Sequence, residues 1–341
     1  IRALDEAIEG LCLTELPIYV GVSAGAFVAS CLANGIKTDQ LCRAIVSHEP
    51  GEHPFVPDTF LTPAFREFAQ RGLMVPRLVV EALLSFARDP WDMTLLESLT
   101  RLSRAIPTGI FTNDAIRVYL EHIFAIKGRT DDFRELKNSL RIVSADLDSG
   151  KAVRFGEPGL DDVPISRAVQ ASTALPGVYP PVEIDGRHYA DGVLLKTVHA
   201  SVAIDQRVAL LICLNPIVPV DTARAVEQGV MRRGKLIDRG LPTVISQSLR
   251  TLIHSRMLVG MSAYKPRYPD ADVMLIEPKR DDYRMFFTNI FSFSSRKDTC
   301  EHAYRETLTF LRRQQQNLTP ILYRHGLRLR KEVLEDESRS L

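Results

Sequence analysis

The sequence predicts an α/β fold of three layers, a largely parallel central sheet covered by helices, with a helical insertion. Three observations carry this. An apolar, β-branched run turns on glycines into a helix ("LPIYVGVSAGAFVASCLANG", 16–35); later strand-like runs alternate with helical periodicity; and no Pro/Ser-rich linker divides the chain.

Taken in order, "IRALDEAIEG" already reads as the middle of an amphipathic helix with Ile1, Leu4 and Ile8 on one face, which is compatible with a leading segment before Ile1. "LPIYVGV" (16–22) has the pattern of a strand buried on both faces, and the helix after it is expected to stop at Gly35. Between about 38 and 126 helical periodicity dominates, as in "RLVVEALLSFARD" and "DAIRVYLEHIFA", the latter with Thr112 and Asn113 as candidate caps and Ile116, Tyr119, Leu120 and Ile123 on one face. "LRIVSADLDSGKAVRFG" reads as a hairpin turning at Asp148-Ser149-Gly150, and "VEIDGRHYADG" as a second turning at Asp185-Gly186. Between them "ISRAVQASTALPG" is a helix ended by Pro176 and Gly177. "VALLICLN" (208–215) and "ADVMLIEP" (271–278) are further buried strands, helices fill most of the rest, including one over about 299–316, and "RKEVLEDESRSL" is expected to be a frayed helix or tail.

Composition narrows the function classes. The chain has 341 residues, 45% of them hydrophobic, ample for a sizeable core, and Lys+Arg 43 against Asp+Glu 42 gives a formal net charge of +1. No global field recruits nucleic acid or an anionic membrane, so any membrane contact is local. Cys12, Cys31, Cys42, Cys213 and Cys300 have neither CxxC spacing nor disulfide-scaffold density and read as reduced thiols. No apolar run is long enough to span a bilayer. The histidines show no HExxH or comparable spacing, so no metal is expected.

Gly21-Val22-Ser23-Ala24-Gly25 fits GxSxG between a strand and a helix. In that context the serine takes a strained conformation that lifts its hydroxyl clear of the turn, Gly21 and Gly25 permit close approach of strand and helix, and the helix N-terminus offers free N–H groups to a developing oxyanion. Ser23 is therefore a candidate nucleophile, which needs a base. In "YADGVLLK" Asp191 follows a short strand and precedes Gly192, placing its carboxylate on a turn at a strand end. An Asp-Gly pair by itself is a turn signal.

The surrounding blocks say more. "ISRAVQASTALPGVYPPVEIDGRHYADGV" (165–193), "LDEAIEG" with the 16–35 segment, and "LRIVSADLDSGKAVRFG" together resemble, in order, the signature blocks of the bacterial-type patatin-like phospholipase family. The resemblance runs from residue 1 to about 215, interrupted by the insertion. It implies a catalytic domain over 1–215, with residues 216–341 as a helix-rich part packed on the same domain. It also implies a cofactor-free Ser-Asp dyad, Ser23 attacking the acyl carbonyl of a phospholipid or other lipid ester and Asp191 taking its proton, by way of an acyl-enzyme. The low proton affinity of an exposed Asp would have to be raised by burial, which makes a dry acyl pocket part of the mechanism. Two departures stand out. The family's glycine-rich oxyanion loop has no counterpart in these residues, and Val193 stands where the family has a small residue.

Two other readings remain open at this level. His188 and His199 flank Asp191, and Ser23, Asp191, His199 is the chain order of an ordinary Ser-His-Asp esterase or thioesterase. A lipid-binding protein that keeps the fold without turnover is the other. "YRMFFTNIFSFSS" (283–295) and "PRLVVEALLSFARDPWDMTLLESL" (76–99), which holds Trp91, read as core, homodimer contact, or a flap on a peripheral membrane surface. The basic stretches "MRRGKLIDRG" and "RHGLRLRK" read first as helical surface, and nucleic-acid binding has no supporting motif. A cytoplasmic or peripheral membrane location is favoured.

Overall fold

A computed structural model describes residues 1–47, 62–88, 103–195, 200–227, 236–287 and 293–341. Its strands are β1 (Ile8–Glu9), β2 (Ile18–Val22), β3 (Ser139–Asp146), β4 (Lys151–Phe155), β5 (Val182–Ile184), β6 (Arg187–Asp191), β7 (Leu210–Leu214), β8 (Asp272–Ile276) and β9 (Arg328–Leu329). The chain forms the α/β fold the sequence predicts, around a mixed sheet. Parallel pairing is carried by β2 with β3 and by β7 with β8, and the two expected hairpins add β4, β5 and β6 antiparallel.

The hairpin turns follow from backbone chemistry. Asp185 and Gly186 both take positive φ, 50° and 74°, the pair of left-handed residues a tight two-residue turn requires. At the other hairpin the Asp146 carboxylate accepts from the N–H groups of Asp148 and Ser149 and from the Ser149 and Arg187 side chains. These hydrogen bonds, with that of Ser149 foremost, hold its carboxyl below the usual range.

β3 is the organising strand. Its residues 139–143 pair with β2, ending at Val143 opposite Val22, and residues 144–146 pair with β6, beginning at Ser144 opposite Asp191. β4 pairs with 142–146, overlapping both, so it occupies the other edge. β2 and β6 therefore share one edge of β3 and run toward each other, their C-terminal ends meeting between Val143 and Ser144.

The main core buries Leu140, Ile142 and Phe155 against Phe27 and Leu32 of the helix Ala24–Ala33, Ile116, Leu120 and Ile123 of the helix Asp114–Phe124, and Ala168 and Val169 of the helix Ile165–Ser172. The face expected from Ile116, Leu120 and Ile123 is the buried one, with Tyr119 packed at its margin against Phe27. A second core joins the two ends of the chain: Leu4 and Ile8 pack with Leu311, Leu322 and Leu334, and β1 pairs with β9.

Three expectations need correction here. The C-terminal segment is not a frayed tail, because Val333 and Leu334 of the helix Lys331–Glu335 are buried in that second core and the Leu334 carbonyl accepts from Arg312. "RHGLRLRK" is a helix end, a turn at Gly326 and β9 rather than a helical surface, and Arg324 is spent on Asp272. The long helix begins earlier, at Phe293, and ends at Arg313, beyond which Gln315–Arg324 forms a separate helix. Of the aromatic segment, Tyr283 is buried and Phe286 lies under the Arg250 guanidinium, 4.8 Å from its ring centre; residues 288–292, Trp91 and residues 231–235 of "MRRGKLIDRG" fall outside the described residues. Among the described residues no helix is long and apolar enough to cross a membrane.

Opposed residues of an antiparallel pair share a face, so the side chains of Ser144 and Asp191 are neighbours. The Ser144 hydroxyl is buried and has no hydrogen-bond partner among the described residues. Ser144→Ala is expected to raise the unfolding free energy in urea by about 1 kcal/mol, since it removes a dehydrated, unpaired polar group. A loss of stability of that size would mean instead that the hydroxyl has a partner in solution.

Candidate active site

Ser23 sits at the joint between β2 and the helix Ala24–Ala33, at φ 55° and ψ −130°. A non-glycine residue adopts such a conformation at a cost of about 1–3 kcal/mol and holds it only where the surroundings insist. Here the Ser23 N–H donates to the Ser172 hydroxyl at 2.9 Å, the Ser23 carbonyl accepts from Ala26 N at 2.8 Å, and the Ser23 hydroxyl lies near enough to the Asp191 carboxylate to favour its ionised form. Two residues 168 positions apart in sequence are joined because β2 and β6 end head to head.

Asp191 is 1% exposed. Burial, only partly offset by hydrogen bonds from Ser23 and the Val193 N–H, pushes its carboxyl up to about 6. The Val193 N–H reaches one carboxylate oxygen at 3.0 Å, in a short 3-10 turn over Gly192–Leu194 that the carboxylate caps. The Asp191 N–H is fixed in turn by the Ala174 carbonyl at 2.9 Å.

The glycines of the site divide. A Cβ on Gly21 would lie 2.4 Å from the Ala26 Cα, and one on Gly192 would lie 2.3 Å from the Val143 carbonyl oxygen, so both positions require glycine for close approach. Gly25 does not serve that purpose, contrary to the expectation from the motif. A Cβ there meets open space, and the residue lines a cavity.

That cavity, about 710 Å³, has Ser23, Ala24 and Gly25 in its wall and is otherwise mostly apolar, with Val28, Leu32 and Phe310 among its lining. Consecutive residues of β2 (Ile18, Tyr19, Val20) and of β7 (Leu211 to Leu214) line it, so both strands turn an edge to it rather than a face. Among the described residues neither edge has a strand partner. Val193, next to the acid, also lines it, and residues after 216 contribute Ile276, Glu277 and Phe310.

Four of the described histidines lie against carboxylates other than Asp191. His188 is about half exposed, with its Nδ1 3.4 Å from the Asp148 carboxylate at the far end of β6. His302 pairs with Asp282 at 2.8 Å, His325 with Asp272 at 2.9 Å, and His254 lies 3.5 Å from Glu277. His199, His48 and His53 lie outside the described residues. Among the described residues no group of His, Cys, Asp and Glu could hold a metal ion. All five cysteines are free thiols, and burial pushes Cys31 and Cys213 up to about 12.

Sequence reasoning missed Ser172 and Ala174. Both lie inside a block it singled out, where a helix stops shortly before Pro176-Gly177, but nothing in the spacing tells which of its polar atoms reach the elbow.

With this geometry in hand, two comparisons bear on the chain. A family model for the patatin-like phospholipases matches residues 1–204. Among solved structures, the crystal structure of VipD from Legionella pneumophila aligns at 15% identity with a TM-score of 0.30, covering 67% of this chain and 49% of that one, so the chain spans about half the length of that protein. So distant a likeness carries neither fold nor function.

The glycine geometry gives a direct test. Gly21→Ala and Gly192→Ala are each expected to destabilise by roughly 2–4 kcal/mol in urea denaturation, because the neighbour that must move is backbone. Gly25→Ala, in open space near a helix start, is expected to stay within about 1 kcal/mol of the parent. Equal losses at all three positions would contradict this division.

Proposed function

The chain belongs to the patatin-like phospholipase family, and from that premise we propose that it hydrolyses the acyl ester of a phospholipid, lysophospholipid or other lipid, with Ser23 as nucleophile and Asp191 as its base. The observation that carries this reading is that the ends of β2 and β6 meet on β3 and bring the Ser23 hydroxyl beside a carboxylate that is 1% exposed and pushed up to about 6.

Asp191, ionised, accepts the Ser23 proton as Oγ bonds to the acyl carbonyl carbon. The oxyanion forms beside the N–H groups of Ala24 and Gly25, which head the helix and have no intrahelical partner. Collapse of the tetrahedral intermediate breaks the ester C–O bond, and the leaving alkoxide takes the proton held by Asp191. Water then attacks the acyl-enzyme, gives its proton to Asp191, and releases the fatty acid as Ser23 recovers its hydrogen. Raising the carboxyl from 3.8 to about 6 makes it a stronger base by roughly two pKa units while leaving it ionised at neutral pH. The apolar side chains around Ser23 limit the water that competes for the carbonyl.

Substrate is the lipid ester itself, met at a membrane surface, and no organic cofactor enters the scheme. The unit that acts spans 1–215 together with the later segments that wall the cavity. Homodimer formation through the aromatic segment and a peripheral membrane position remain part of this reading, and nucleic acid does not.

Variants of Ser23 (to Ala) and Asp191 (to Asn) are expected to lose activity on short-chain esters and phospholipid vesicles by roughly a thousandfold or more. His188→Ala and His199→Ala are expected to remain active, and a fluorophosphonate is expected to label Ser23. Collapse on removing a histidine would transfer the case to a Ser-His-Asp triad. An intact chain that takes no label would instead be a binding protein.

The pH dependence has a definite sign. Asp191 acts ionised, so kcat/KM should rise with pH to a plateau, half-maximal near 6. For stability the direction reverses. The folded state binds more protons than the unfolded between about pH 4 and 6, so this group's contribution falls through that window, and above it Asp191 detracts by about 3 kcal/mol. Asp191→Asn, whose amide oxygen can still accept from Val193, should therefore denature at higher urea concentration at pH 7 while being inactive; a less stable, inactive variant would count against a strained carboxylate.

A further inference from the structure

Beyond the nucleophile and base, we infer that Ser172 is a positioning residue of the Ser23–Asp191 pair, its hydroxyl standing in for a strand-to-strand hydrogen bond exactly where β2 leaves β3. The inference rests on the reading of that pair as the catalytic one.

Three observations converge. The first is the hydroxyl itself. Ser172 ends the helix Ile165–Ser172 and is fully buried; its Oγ accepts from the Ser23 N–H at 2.9 Å and donates to the Val143 carbonyl at 2.6 Å. Val143 is the last residue of β3 to pair with β2, and Ser144 the first to pair with β6. At that junction Ser23 must turn away from the ladder, which separates an N–H from the carbonyl it would otherwise approach. One hydroxyl between them satisfies both, because a single oxygen can donate and accept.

The second is what the same segment does two residues later. The Ala174 carbonyl accepts the Asp191 N–H at 2.9 Å. Residues 172–174 thus hold the backbone of the nucleophile with one polar atom and the backbone of the acid with another, so their span sets the distance between the two. The third is that this segment is itself anchored. Ser166 is held through its N–H and its hydroxyl by the Asp131 carboxylate, both at 2.6 Å, and the Asn113 amide donates to the Gln170 carbonyl at 2.8 Å.

Without the hydroxyl, the part-buried Ser23 N–H and the carbonyl of the fully buried Val143 lose this partner, and the strained turn at Ser23 loses one of its restraints. A shift of about 1 Å in an attacking atom can cost about a hundredfold in rate with little change in substrate binding. The loosened contact also frees Asp191 from the hydrogen bond that lowers its pKa, so its carboxyl moves upward. Among the described residues, the influences on that carboxyl are burial, the Ser23 hydroxyl and the Val193 N–H, with no charged group among them.

The test compares the parent with Ser172→Ala, Ser172→Cys and Ser172→Thr in the full chain. Fluorophosphonate labelling rate and ester hydrolysis are measured per folded molecule, well below each unfolding midpoint, and the Asp191 carboxyl is titrated by NMR. For Ser172→Ala the expected result is a labelling rate and kcat lower by about ten- to a hundredfold, KM within a factor of a few, and an acid limb of the rate profile and a carboxyl titration both displaced to higher pH. Ser172→Thr should recover most of the rate, and Ser172→Cys, whose thiol is a poor donor and acceptor, should fall between. If Ser172→Ala fails to fold, Ser172→Cys carries the comparison. Unchanged labelling per folded molecule with the titration unmoved, whatever happens to the midpoint, overturns the inference and leaves Ser172 a structural residue only. Should the parent take no label at Ser23, the hydrolase reading falls, and the carboxyl titration still decides whether Ser172 sets the Ser23–Asp191 contact.

Discussion

The arrangement of the site depends on one constraint of sheet geometry, that β2 and β6 occupy the same edge of β3 in opposite directions. Each strand must end where the other ends, so their C-terminal residues are forced together. Ser23 and Asp191 are the residues at those ends. The close approach of Gly192 to the Val143 carbonyl and of Gly21 to Ala26 are further consequences of packing two strand ends and a helix start into one place.

This crowding has a chemical result. A carboxylate at the junction is surrounded by the sheet and two helices, out of reach of water, and is left with few donors, which shifts it toward the neutral range. The serine beside it is held in a conformation few residues adopt. Both features lower stability, and the fold tolerates them because large apolar cores flank the junction on helices that need no strain to form.

Much of this was legible in the sequence. Gly21-Val22-Ser23-Ala24-Gly25 announces itself because its requirements are local: a strand, a bend and a helix within a dozen residues. Asp185-Gly186 and Asp148-Ser149-Gly150 are legible for the same reason, since two-residue turn chemistry is decided by the residues in the turn. Asp191 was reachable only by family resemblance, because its pairing with Ser23 is a matter of register across β3, and register leaves no mark on either segment. Ser172 was harder still, being one hydroxyl among several in its block. Gly25 was assigned the wrong reason, because a motif specifies residue types without saying which of its glycines faces backbone and which faces space. The end of the chain was misjudged because Val333 and Leu334, in a highly charged stretch, are buried by contacts with Leu4 and Ile8 more than three hundred residues away.

The edges that β2 and β7 present to the cavity change what kind of container it is. A pocket walled by sheet faces shows only side chains, whereas a wall made of a strand's margin alternates amide hydrogens and carbonyl oxygens along its length. Filling such a channel with hydrocarbon alone would strand those groups, at about 1–3 kcal/mol apiece where water is shut out. Water admitted along those edges, or an occupant with donors and acceptors of its own, would leave none of them stranded.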